Sequence, residues 1–130
     1  MGQQQLILII LCTILVGAAI AVGILLFQTD NVSSNRDAMV EELNNIAGNA
    51  QAFYMRPKCM GGGGNSYAGY DIPKIMKSSQ NGNYIATSSD TKVDFVGTSS
   101  QNDGIVKATL IKTSEQMAFT YFNAFDDTNE

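Results

Sequence analysis

From Leu6 to Phe27 the chain reads LILIILCTILVGAAIAVGILLF, an apolar run in which only Thr13, Gly17 and Gly23 fall outside the hydrophobic set. Twenty-two helical residues span roughly 33 Å at about 1.5 Å each, enough to cross a hydrocarbon core of about 30 Å. None of the first 29 residues carries a charged side chain, and all twenty charged side chains lie between Asp30 and Glu130. A helix that is apolar all round cannot cover itself. It requires lipid, or many copies of itself, as its surroundings.

Two ordinary readings of such a run are weighed first. A cleaved secretory signal carries a positive n-region and an apolar core of roughly 7–15 residues. Here the n-region is Met-Gly-Gln-Gln-Gln, the run is longer, and the A-x-A form of Ala19-Ile20-Ala21 lies inside it rather than after it. A single-span anchor is the stronger alternative, although such anchors are commonly flanked by Lys or Arg. The first flanking charges here are Asp30, Arg36 and Asp37.

After Phe27 the pattern becomes one-sided. Val32, Met39, Val40, Leu43, Ile46, Ala47, Ala50, Phe53 and Tyr54 recur at spacings of three and four, while Asn35, Arg36, Asp37, Glu41, Glu42, Asn44, Asn45, Asn49 and Gln51 take the other positions. That spacing predicts an amphipathic helix. No proline interrupts residues 1–56, and Pro57 with Gly61–Gly64 ends the pattern. Thr29, Asp30, Ser33 and Ser34 offer caps for a separate second helix, but one helix of about fifty residues is favoured because the apolar face resumes without a loop-length gap. The stretch Cys59–Tyr70 is rich in Gly and Asn and flexible by composition. It lacks the GxxxxGK[ST] order of a phosphate loop. Tyr67 and Tyr70 tack it to the domain or to a neighbour. Beyond it, Tyr84–Thr87, Lys92–Thr98, Ile105–Thr113 and a segment from Gln116 to Phe122 or Phe125 alternate as strands do, separated by Asn81-Gly82, Ser88-Ser89-Asp90, Asn102-Asp103-Gly104 and Ser114-Glu115.

The predicted fold class is therefore α+β: a long N-terminal α-helix packed against a small antiparallel β-sheet. Its organisation is an apolar helix over 1–29, the amphipathic half of the same helix over 30–56, a Gly-rich connection over 57–83, and a sheet region over 84–130 laid on residues 32–54. The expected helix–sheet core comprises Met39, Leu43, Ile46, Phe53, Phe95, Leu110 and Phe119. From Asp30 to Glu130 the chain is only 38% hydrophobic, which is polar for a free-standing globule.

Composition narrows the chemistry. With no histidine and no tryptophan, the commonest general base and the His-ligated metals are absent. A net charge of −4 disfavours nucleic acid. The acidic groups at Asp30–Asp37 and at Asp126, Asp127 and Glu130 lack the organised oxygens of a calcium site and are expected as solvated surface. Cys12 and Cys59 are too far apart along one helix to pair; Cys12 is expected as a small core hydrophobe, and Cys59 as a free thiol or an intersubunit crosslink. Asn31-Val32-Ser33 fits a glycosylation sequon. The spacing of the aromatics is accounted for by burial. No catalytic residue, cofactor, metal or small-molecule substrate is expected.

An apolar helix continuing into an amphipathic half, a connecting loop and a small sheet resembles the plan of type IV pilins. Leu15–Phe27, with its Ala-Ala-Ile-Ala centre, looks like the pilin core-helix run. Asn35-Arg-Asp-Ala through Asn44-Asn45-Ile-Ala, Tyr54-Met-Arg-Pro57 and Met60-Gly-Gly-Gly-Gly-Asn-Ser66 look like small pilin-like proteins of bacteria. The resemblance implies a ladle-shaped major pilin that is held in the inner membrane, processed by a prepilin peptidase, methylated at its N-terminal amine and polymerised by pilus assembly machinery. The product would be an extracellular filament, or fimbrium, serving adhesion, motility or secretion. Leu6, Leu8, Ile10, Leu15, Gly17, Ala18, Ala19, Ile20, Gly23 and Phe27 would pack subunits together, and Met1 and Gln5 would act at the N-terminal assembly contact. Two positions depart from the pattern. If Met1 is the mature terminus, Gln5 stands where pilins carry a glutamate, and an amide cannot neutralise an amine. Gly23, with Gly17, stands near the position of a helix-loosening proline, so local melting between them on assembly is expected. The alternatives are a single-span membrane-anchored binding or adaptor module, and a minor pseudopilin of a type II-like secretion system.

Overall fold

The structure, a computed structural model, describes residues 2–112 and 117–123. The turn expected at Ser114-Glu115, Phe125, the acidic positions Asp126, Asp127 and Glu130, and Met1 lie outside the described residues. Two compact units divide between Ser33 and Ser34. Helix α1 runs unbroken over Gly2–Met55, so the polar residues Thr29 to Ser34 do not cap a second helix. Thr29 instead turns its Oγ1 back onto the carbonyl of Leu25 at 3.1 Å.

From Gly2 to Ser33 the chain consists of α1 alone. All residues over 2–31 are exposed, including every large apolar side chain from Leu6 to Phe27. Thr13, the only hydroxyl in the run, donates to the carbonyl of Ile9 at 2.8 Å, so it presents no unsatisfied donor to an apolar medium.

From Ser34 onward the chain is a two-layer α+β domain, in which the second half of α1 lies on an antiparallel meander. Strands β1 (Gly82–Ser88), β2 (Lys92–Ser99), β3 (Gly104–Ile111) and β4 (Met117–Asn123) follow one another in spatial order β1-β2-β3-β4. β1 starts at Gly82, inside the span assigned to the connection from sequence, because Gly82 and Asn83 pair with Ser99 and Thr98. The register sets Tyr84 opposite Gly97 and Gly97 opposite Val106, and sets Phe95 between Ala86 and Ala108. Small residues thus sit beside the large rings. At Gly97 a Cβ would lie 2.9 Å from the Tyr84 ring. Period-two alternation buries Val93, Phe95 and Gly97 on β2 and Val106, Ala108 and Leu110 on β3.

Met39, Leu43, Ile46, Ala47 and Ala50 of α1 complete this core, with Met39, Leu43 and Phe95 wholly buried. Phe53 and Phe119 are half-buried at its margins. Asn35, assigned from sequence to the polar side of the helix, is buried: its amide donates to Ser99 Oγ at 2.7 Å and to Asp103 at 3.3 Å. The connection adds more than its composition suggested. Tyr67, Tyr70 and Ile72 are buried, and Tyr70 stacks at 5.4 Å from Phe53 and edge-on at 6.4 Å from Phe95, linking helix, loop and sheet.

The glycine run ends the helix. After Pro57 and a short 3-10 turn over Lys58–Met60, the chain doubles back. The amides of Gly63, Asn65 and Gly64 donate to the carbonyls of Phe53, Tyr54 and Arg56 at 2.8, 2.9 and 3.0 Å. These carbonyls lie at or just past the helix end, and that of Phe53 also accepts from the Arg56 amide at 3.3 Å. A Cβ on Gly63 would stand 1.8 Å from the Ser66 carbonyl oxygen, and one on Gly62 would stand 2.2 Å from that of Arg56. Only glycine lets the loop lie this close.

Candidate assembly surface

The positions singled out for subunit packing, Leu6, Leu8, Ile10, Leu15, Gly17, Ala18, Ala19, Ile20, Gly23 and Phe27, all lie on α1 and are all exposed. Large apolar side chains of the kind normally buried are here open: Leu15 is 62% exposed and Phe27 66%. Leucines and isoleucines surround the axis, so no one face is the apolar one. Gly17 and Gly23 have open space where a Cβ would be. No contact among the described residues requires them, and each costs a helix roughly 1 kcal/mol relative to Ala. Gln5 is exposed on the first turns of the helix. Cys12, expected as a core hydrophobe, is exposed in the isolated chain, and Cys59 is likewise a free, exposed thiol.

The described part of the domain from Ser34 onward by contrast has a filled core. Among the described residues no buried side-chain nitrogen or oxygen lacks a hydrogen bond. Its most elaborate polar cluster centres on Glu42, which sequence reading left as a solvated helix position. The Glu42 carboxylate accepts from Tyr84 Oη, from Ser79 Oγ at 2.7 Å and from Asn81 Nδ2 at 2.7 Å. Burial raises the pKa of Glu42, but the hydrogen bonds from Tyr84, Ser79 and Asn81 outweigh it and leave the group below its ordinary value. Tyr84 is pushed up, by burial first and then by its bond to Glu42 and the charge there. Tyr70 is pushed up to about 12, by burial and then by the charge of Asp71.

The recess beside this cluster is lined by Glu42, Asn45, Ile46, Met76, Ser79 and Tyr84. Its carboxylate oxygens are engaged by the chain's own donors, which is the pattern of a structural tie between helix, connection and β1. The cluster could have been sought in the sequence only as a carboxylate, an Asn and a Tyr brought together across about forty residues. Period analysis has no signal for that. Among the described residues no group of three or more His, Cys, Asp or Glu side chains is gathered as a metal site would require.

The uncharged surface of α1 has no partner among the described residues. The window within α1 is long and apolar enough to cross a membrane and none of it is buried within the chain. Comparison with protein-family models, with curated proteins and with solved structures finds no match for this chain. What can be said of its kind therefore rests on architecture: a long N-terminal apolar helix joined to a small antiparallel sheet, a combination compatible with a pilin-like fold.

Proposed function

We propose that this chain is the structural subunit of a helical filament, a major type IV pilin or close analogue, whose residues 6–27 pass from membrane to filament core. One observation carries the reading: twenty-two consecutive residues of continuous helix are apolar on every side and unburied, while the domain that follows already fills its own core. Lipid would satisfy that helix. So would a bundle of identical helices, which exchanges lipid contacts for side-chain packing at the small residues Gly17, Ala18, Ala19 and Gly23. The pilin resemblance favours the second as the final state. Heterologous contacts that do not close into a ring propagate into helical filaments. On this reading the α+β domains remain toward water, a prepilin peptidase and assembly machinery act before and during polymerisation, and the product stands outside the cell. No catalysis is assigned to it.

The test is negative-stain microscopy of sheared surface material, with the chain identified by mass spectrometry, for the parent and for Leu15→Lys. A buried lysine amid the packed helices carries the cost of an unpaired charge, so thin filaments are expected from the parent and none from the variant. Recovery of the parent only as detergent-soluble monomer would instead support a single-span anchored module. Growth of short tips requiring other subunits would point to a minor pseudopilin.

A further inference from the structure

Within the domain, the solvent side of α1 is not uniform. At about 100° of turn per residue, Asp37, Glu41, Asn44, Asn45, Gly48, Ala52, Met55 and Arg56 fall within roughly 60° of the direction of Glu41. All of them are exposed. The stripe is acidic at one end, with Asp37 and Glu41. It is basic at the other, with Arg56 and, immediately beyond the helix, the exposed Lys58. Between the ends it is uncharged and low in relief.

Pairing among the described residues does not account for these charges. Asp37 meets only the adjacent Arg36, at 3.4 Å, among the ion pairs found, and Glu41, Arg56 and Lys58 make no side-chain hydrogen bond or ion pair among the described residues. The carboxylate that lines the shallow recess beside Arg56, Asp71, is held by Lys77 at 2.7 Å. The helix dipole accounts for a cation after Met55, but not for acids in mid-helix, because it fades within the first and last turns. Gly48 sits at the centre of the stripe with open space where its Cβ would be, at a cost of roughly 1 kcal/mol in a helix interior. Met55, 76% exposed, flanks the basic end.

We infer that this stripe docks a second copy of the same chain head to tail, the Asp37/Glu41 end of one copy meeting the Arg56/Lys58 end of the next. Two ends of opposite sign along one continuous helix are complementary to themselves after an axial shift of about 22 Å, the rise over the fifteen residues from Glu41 to Arg56. Gly48, Ala52 and the asparagines let backbones approach between the charged ends. Co-directional copies follow from the filament reading, in which every copy is inserted with the same polarity. The inference rests on the filament reading and names the domain contact within it.

Cys59 supplies the probe. In a Cys12→Ser background, Glu41→Cys puts a thiol at the acidic end, and a disulfide forms only when its Cα comes within about 7 Å of that of a neighbour's Cys59. Oxidised intact filaments are expected to yield a ladder of multimers on non-reducing electrophoresis, whereas chains carrying Cys59 alone stay monomeric. A second measurement covers loss of assembly in the cysteine variant. Arg56→Glu with Lys58→Glu should lower filament yield at least about tenfold, and adding Asp37→Lys with Glu41→Lys should restore it. Filaments without a ladder and indifferent to charge reversal overturn the contact and leave the filament reading standing. Dimers only, together with self-crosslinking of Gly48→Cys, overturn the head-to-tail arrangement in favour of an antiparallel pair. Absence of filaments from the unsubstituted chain overturns both readings.

Discussion

Replacing Glu42 with Gln tests whether the tie between helix and sheet depends on charge. In the parent, one carboxylate accepts from Tyr84, Ser79 and Asn81. Glutamine keeps a single acceptor oxygen and turns an NH2 toward a site furnished with donors; wherever it faces Asn81 Nδ2, two donors oppose each other. A hydrogen bond to a charged group contributes about 1.5–3 kcal/mol against about 0.5–1.5 for a neutral one, so two or three weakened bonds give roughly 2–3 kcal/mol. Glu42 is only half-buried, which moves the expectation to the lower end, about 2 kcal/mol. In a domain of this size that is a fall of roughly 8–16 °C in Tm. The loss should depend on pH in a defined sense. The folded-state pKa of Glu42 lies below the ordinary 4.5, so its contribution is fully present above that value and is lost as pH falls through the depressed folded pKa. Parent and variant should therefore differ most near neutrality, and the gap should narrow as pH falls below 4.5 and through the depressed folded pKa. Asp71 and Asp94 are also depressed, Asp71 foremost by its hydrogen bond from Lys77 and Asp94 by that from Lys92. Both are present in parent and variant, so the difference isolates Glu42. The assay is thermal unfolding of the full chain in detergent followed by tyrosine near-ultraviolet circular dichroism, since there is no tryptophan. A gap that is the same near pH 3 and near pH 7 would refute the reasoning, because a merely steric defect does not titrate.

Two further outcomes follow from the glycines. Gly63→Ala places a methyl 1.8 Å from the Ser66 carbonyl oxygen and 2.9 Å from the Phe53 ring; it should cost about 2 kcal/mol or more by displacing the loop that caps α1, and unchanged denaturant stability would contradict the packing. Gly17→Ala with Gly23→Ala meets no atom and should leave the detergent-solubilised monomer as helical or more so; if the segment melts on assembly, the pair opposes that melting by roughly 2 kcal/mol and filament yield falls. A filament map with unbroken helical density through residues 17–23 would remove the basis for the second effect.

The elements were legible because each carries its own period. Residues 6–27 are continuous, residues 39–50 repeat at three and four, and Val93, Phe95 and Gly97 alternate, so helix and strands are legible, with strand ends displaced by one or two residues where Gly82, Asn83 and Ser99 join the ladder. Contacts without a period were not legible. Ile72 enters the core from an irregular segment, and nothing in Tyr-Asp-Ile-Pro distinguishes it from Ile75, which is 90% exposed in the next turn. Asn35 and Glu42 were assigned to water because they are polar. Their burial and bonding are set by Ser99, Asp103, Ser79, Asn81 and Tyr84, each thirty-seven or more residues away. The glycine run suggested looseness, whereas its amides finish the helix; composition records that glycine permits many conformations and not that the fold selects one.

The apolar run was legible as a segment but not as a site, since its meaning lies in what it does not touch. A mean hydrophobic content of 45% would suit an ordinary globule, yet the nineteen apolar residues of 6–27 contribute no side chain to the buried core, which Met39, Leu43, Ile46, Phe95 and Leu110 fill with Tyr67, Tyr70 and Ile72 from the connection. Stability of the domain and fate of the helix are therefore set by different residues, and substitutions in the two sets should act independently so long as the chain is monomeric. Assembly is where they would couple. A polymer that buries residues 6–27 brings successive domains together at a spacing fixed by the helix, so the charge order along Asp37–Lys58 becomes a constraint on the same lattice that the apolar residues hold.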